Sequence, residues 1–136
     1  MADYFTNFSV VLPLTKEQRE YALALVQQAL AHRHEAELLP DTFPSELKGE
    51  IEDWCFETDV DGDELWLHSQ YGGQDAACVF IQHLLQKFSF ANKVAFEWSH
   101  DCTKPRTDAY GGGAAFITAK KIKTMTTHGW LRKMGG

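Results

Sequence analysis

Two stretches with helical periodicity each stand between stretches whose apolar residues alternate with period two. This switching restricts the folds open to the chain more than any other feature of it. Tyr4 to Leu14 is rich in aromatic and β-branched residues, closes near Pro13 and reads as a first strand. Thr15 follows with Gln18 three residues on, a capping box that predicts a helix start, and Glu17 suits the positive end of the helix dipole. Tyr21, Ala22, Leu25, Val26, Ala29 and Leu30 carry the apolar face of that helix to about His34. Leu39 to Lys48, with Pro40, Asp41, Pro44 and Ser45, reads as a loop with one short helical turn after Ser45. Glu52 to Asp59 and Glu64 to Ser69 then read as two strands, with the turn signal Asp61-Gly62 between them. In the first of these, Trp54 and Phe56 share one face, and Asp53, Cys55, Glu57 and Asp59 share the other. In the second, Leu65 and Leu67 oppose Trp66 and His68.

Tyr71-Gly72-Gly73 breaks the chain, and Gln74 to Phe88 resumes helical spacing through Ala77, Phe80 or Ile81, Leu84, Leu85 and Phe88. Lys93 to Ser99 alternates with Val94, Phe96 and Trp98 inward. A loop is predicted over His100 to Gly112, a last strand over Gly113 to Ala119, and a terminal helix over Lys120 to Met134, broken near Gly129. The order β-α-β-β-α-β, followed by β and α, predicts an α+β fold. Specifically, it predicts a ferredoxin-like βαββαβ sandwich with an antiparallel sheet, an added β-strand and a C-terminal helix. Two helices would cover one sheet face and leave the other partly open. The 136 residues suit one domain spanning 1–136, and 44 % hydrophobic residues suffice to fill one core.

No apolar run approaches the roughly 20 residues a spanning helix needs, and Met1 to Thr6 lacks the basic start and apolar stretch of a secretion signal. A cytoplasmic location without membrane contact is therefore expected. Cys55, Cys78 and Cys102 are odd in number and widely spaced, which suits free thiols better than a disulfide framework. The net charge of −6 is unevenly spread. Glu46 to Glu64 holds nine acids against the single base Lys48, whereas Ala114 to Gly136 holds five bases (Lys120, Lys121, Lys123, Arg132 and Lys133) and no acid. This polarity argues against direct nucleic-acid binding, which needs an extended basic surface. It permits an acidic face that docks on a basic partner, although charges also simply solvate exposed surfaces.

The stretch from Phe96-Glu97-Trp98-Ser99-His100-Asp101-Cys102-Thr103-Lys104-Pro105-Arg106-Thr107-Asp108-Ala109-Tyr110 to Gly111-Gly112-Gly113-Ala114-Ala115-Phe116-Ile117-Thr118-Ala119 is similar to small proteins carried by proteobacterial genomes, phages and plasmids. Trp54-Cys55-Phe56-Glu57 and Phe80-Ile81-Gln82-His83-Leu84-Leu85 fit the same resemblance, which covers most of the chain from about residue 50. It implies an accessory role in a mobile-element context and brings no catalytic residues. A more distant likeness to ferredoxin-like domains of phage and plasmid proteins bears on the fold alone.

The segment from His100 to Gly113 is dense in chemistry-bearing residues, as functional loops often are. Its candidate ligand-binding residues are His100, Asp101, Cys102, Lys104, Arg106, Asp108, Tyr110, Gly111 and Gly112. Lys104 and Arg106 can pair with an anion, such as that of a nucleotide, and glycine amides can approach it. The glycines can equally form a bulge, and no Gly-Lys-Ser/Thr follows to make a P-loop. His100 and Cys102 supply two soft ligands that only folding could complete with Cys55, His68 or His128, so no metal and no cofactor are expected. Asp59-Val60-Asp61-Gly62-Asp63 lacks the glycine and glutamate positions of an EF-hand. Paired His-x-Ser/Thr motifs, a Gly-x-Ser-x-Gly elbow and His-Glu-x-x-His are all missing.

The expected function is a non-enzymatic protein-binding module or inhibitor, with mimicry of nucleic-acid charge as one version. Its candidate partner-binding residues are Asp53, Glu57, Asp59, Asp61, Asp63, Glu64 and Trp66. The alternatives are a small-ligand or enzymatic site in the 100–113 loop, and homodimerisation through an edge strand or the open sheet face. Core packing accounts for most of Trp54, Trp66, Trp98 and Trp130, with a partner surface on the uncovered sheet face as the alternative for Trp66 and His68, and His83 reads as solvent-facing or cap-satisfied.

Overall fold

A computed structural model describes residues 2–135. The chain is mixed α/β, with a six-stranded sheet and four helices. The strands are β1 (Tyr4–Leu12), β2 (Glu57–Asp61), β3 (Glu64–Ser69), β4 (Val94–Cys102), β5 (Gly111–Ile117) and β6 (Ile122–Thr126). The helices are α1 (Lys16–Ala31), α2 (Ser45–Lys48), α3 (Gln74–Phe88) and α4 (Thr127–Gly135). The strand order is β2-β3-β1-β4-β5-β6, and every neighbouring pair is antiparallel.

Local sequence explains the main boundaries. Thr15 Oγ1 accepts from the Gln18 amide, and Gln18 Oε1 accepts from the Thr15 amide, so the predicted capping box starts α1. The helix ends at Ala31, ahead of the expected His34. Gly62 takes φ 61° between β2 and β3, a conformation the hairpin needs and glycine supplies at little cost. Period two then sorts each strand. Phe8, Val10, Leu12, Leu65, Leu67, Val94, Phe96, Trp98, Ala115 and Ile117 are buried under α1 and α3, while Ser9, Val11, Ala95, Glu97 and Phe116 on the other face are exposed. One face of the sheet is therefore covered and the other open.

The structure departs from the sequence expectation in four further respects. Residues 52–56 are not strand. Ile51–Asp53 forms a short 3-10 turn and Trp54 turns into the core, so Asp53 leaves the face it was expected to share with Glu57 and Asp59. β4 runs on to Cys102 and β5 starts at Gly111, which shortens the expected His100–Gly112 loop to residues 103–110. The expected terminal helix is a strand, β6, followed by the short α4, so two strands are added beyond β4 and not one. Finally, α4 buries no residue, and Trp130 is exposed, so it belongs to no core. Among the described residues no helix is long and apolar enough to cross a membrane.

Candidate functional site

The open face is where the sheet presents side chains that the core does not use. Hairpin register places Glu57 opposite His68 and Asp59 opposite Trp66, and β1–β3 register places Trp66 opposite Val11 and His68 opposite Ser9. The result is a row running from the outer edge inward. His68 Nε2 donates to Asp59 Oδ2 at 2.6 Å, and its Nδ1 lies 3.4 Å from Glu57 Oε2. The His68 ring stacks on the Trp66 indole with centroids 3.8 Å apart, and Trp66 Nε1–H donates to Ser9 Oγ at 2.7 Å. Trp66 and His68 thus share one face, as their alternation predicts, but that face is the uncovered one, so Trp66 is not part of the core.

Beside this row lies a cleft of about 740 Å³, bordered by Asn7, Ser9, Glu57, Trp66, His68 and Tyr71. The Glu57 carboxylate and the Trp66 and Tyr71 rings that line it suit a cationic side chain, which gains from both charge and ring quadrupole. The same residues do not suit covalent chemistry. Cys55 borders the cleft, but burial pushes its thiol above the ordinary range, which disfavours the nucleophilic thiolate. Cys78 is buried in α3, where desolvation, followed by Asp75 and Glu50, pushes its thiol up to about 12.

The remaining acids of the ribbon sit at its tip. Asp61 and Glu64 are directly opposite each other, and Asp63 lies in the turn between them. Like charges so placed repel. Arg19 reaches this turn, but its Nη1 donates to the backbone carbonyls of Asp63 (2.6 Å) and Leu14 (2.8 Å) and not to a carboxylate. Among the described residues the ion-pair contacts of carboxylates are all with histidine: Glu57 and Asp59 with His68, and Glu46 with His83. The bases of the tail lie away from the ribbon: Lys123 is on β6 and Lys120 and Lys121 are in the turn before it, at the opposite edge of the sheet, while Arg132 and Lys133 are on α4, which packs against β5 and β6.

The 100–113 segment is differently disposed. His100 and Asp101, as neighbours in β4, point to opposite faces, where His100 Nδ1 meets Thr6 Oγ1 at 2.8 Å and Asp101 accepts from Asn7 at 3.2 Å. Tyr110 Oη–H donates to the Cys102 carbonyl at 2.7 Å, and the Lys104 amide donates to Cys102 Sγ at 3.4 Å, so Tyr110 and Cys102 brace the turn. Lys104, Arg106 and Asp108 are exposed. His100, Asp101 and Asp108 border a small hollow of about 220 Å³ together with His128, but Lys104, Arg106 and Tyr110 do not. The Gly112 amide is taken by Thr127 Oγ1 at 3.0 Å, and Gly111 (φ 109°) abuts His128 and Thr127. These glycines let β5 and α4 approach closely. Among the described residues no three His, Cys, Asp or Glu side chains converge to hold a metal ion.

Sequence reasoning missed one polar chain. Tyr21 Oη lies 2.8 Å from His83 Nε2, and His83 Nδ1 lies 2.8 Å from Glu46 Oε1, which ties α1, α3 and α2 together. A hydrogen bond from its own backbone amide, then His83, holds the Glu46 carboxyl below the usual range against an opposing desolvation. No spacing rule links residues this far apart, so no signal announced it. His83 is therefore bridging, not solvent-facing. Compared with protein-family models, with curated proteins and with solved structures, the chain finds no match.

Proposed function

We propose that the protein is a non-enzymatic binding module with a ferredoxin-like fold, whose acidic β2–β3 ribbon and adjoining open-face cleft capture a basic protein segment. The order β2-β3-β1-β4 supports the fold, because a split βαβ pair interleaves its strands in this way and β5–β6 simply extend one edge. The resemblance of the 96–119 stretch to phage- and plasmid-borne proteins supports an accessory role, such as inhibition of a host protein in the cytoplasm. One observation carries the binding reading. Glu57, Asp59, Asp61, Asp63 and Glu64 are exposed at one edge of the sheet, with Lys120, Lys121 and Lys123 at the other.

The test is binding of a fluorescent Arg/Lys-rich peptide to the wild type and to E57Q/D59N/D63N/E64Q. Each rim carboxylate is worth a fraction of a kcal/mol, so four removed together are expected to weaken binding by about 10- to 100-fold. The wild-type affinity is expected to fall as salt rises. Equal affinity of the two proteins for the peptide sinks the proposal.

A further inference from the structure

The two outer strands of the sheet are β2 and β6, each of five residues and each exposed along nearly its whole length. Such edges present unpaired backbone N–H and C=O groups, which either are blocked or recruit another strand. Here the blocking is one-sided. β2 carries Glu57, Asp59 and Asp61, while β6 carries Lys123 and follows Lys120 and Lys121. Like charges therefore oppose β2 on β2 and β6 on β6, whereas β2 on β6 brings opposite charges together.

Direction and facing agree with that pairing. Five successive antiparallel pairings separate β2 from β6, so the two edges run in opposite directions. A second copy in the same orientation would set its β2 antiparallel to β6 of the first, with both helix layers on one side. On the open face, Lys123 and Met125 would then border Glu57, Asp59 and Asp61 of the second copy. On the helix side, Ile122, Thr124 and Thr126 would border its Thr58 and Val60, a β-branched match on both strands. α4 does not cover this edge, since Thr127 and His128 turn inward over Gly111 and β6 stays exposed.

Resting on the binding reading above, we infer that the basic partner of the acidic edge is β6 of a second copy of this chain, paired head to tail into a continuous antiparallel sheet. The contact is heterologous and leaves a free edge of each kind at the ends, so growth beyond a dimer is expected.

The experiment is sedimentation velocity on the full chain across protein and salt concentration, with D59K/D61K and K121E/K123E as edge reversals. The wild type is expected to at least double its weight-average mass as concentration rises at low salt, and to revert to monomer at high salt. Each reversal alone, having two edges of one sign, is expected to stay monomeric, and an equimolar mixture of the two to assemble again. A wild type that remains monomeric throughout overturns the inference, as does a dimer that both reversals leave intact or a mixture that fails to reassemble. The basic-peptide measurement separates the two failures. A monomeric wild type that still binds the peptide through its acidic ribbon loses only the self-pairing, whereas loss of both removes the binding reading as well.

Discussion

Gly113→Ala is expected to destabilise the protein by about 3 kcal/mol, through overpacking that the surroundings cannot relieve. A Cβ at Gly113 would stand 2.4 Å from Trp98 Cζ2 and 2.5 Å from the Met125 carbonyl oxygen. The first neighbour is a buried indole and the second is β6 backbone, so neither can swing away as a surface side chain would. Relief requires β4, β5 and β6 to separate, at the cost of the ladder between them. For a chain of this size the loss corresponds to a fall of roughly 10 °C in melting temperature, readable by circular dichroism. An unchanged melting temperature would mean that Trp98 does not lie against β5. The prediction also discriminates between the two readings of the triple glycine: a ligand-cradling loop would tolerate the substitution structurally and lose only binding.

Trp54→Ala is expected to cost about 3–5 kcal/mol, the range for truncating a large buried aromatic. Trp54 is completely buried, with its ring 5.0 Å from Phe56 and 5.2 Å from Phe80. It joins the base of the acidic ribbon to α3, so its loss opens a cavity where ribbon and helix layer meet. Trp54→Phe keeps most of the volume and is expected to cost distinctly less. Urea denaturation of the two variants checks the order, and equal stabilities would contradict the packing described.

Much of the fold was legible because local signals and tertiary demands coincide. The Thr15/Gln18 box, the Asp61-Gly62 turn and the stripe of α3 each specify one geometry, and each recurs in the structure. The helix expected over Lys120 to Met134 is instead β6 and α4, although Ile122-Lys-Thr-Met-Thr126 alternates and is rich in β-branched residues, as a strand would be. Trp54 was placed in a strand because Trp-x-Phe alternates, yet a 3-10 turn ahead of it sends the indole inward. For the site, period two puts Trp66 and His68 on one face, but which face is open depends on where α1 and α3 pack. The Asp59–His68 contact needed the hairpin register as well. The work of Gly113 was not legible, because its neighbour Trp98 is known only once β4 and β5 pair.

The claim that Asp61, Asp63 and Glu64 at the ribbon tip lack basic partners within the molecule is tested most directly by melting temperature against NaCl at pH 8, for the wild type and for D61N/D63N/E64Q. These three positions avoid the His68 contacts. At a protein concentration low enough to keep the chain monomeric, mutual repulsion at the ribbon predicts that salt raises the wild-type melting temperature, and that the neutralised variant is at least as stable and responds less. A wild type that melts lower as salt is added, with the variant less stable still, would mean that the acids are already neutralised by bases of their own chain.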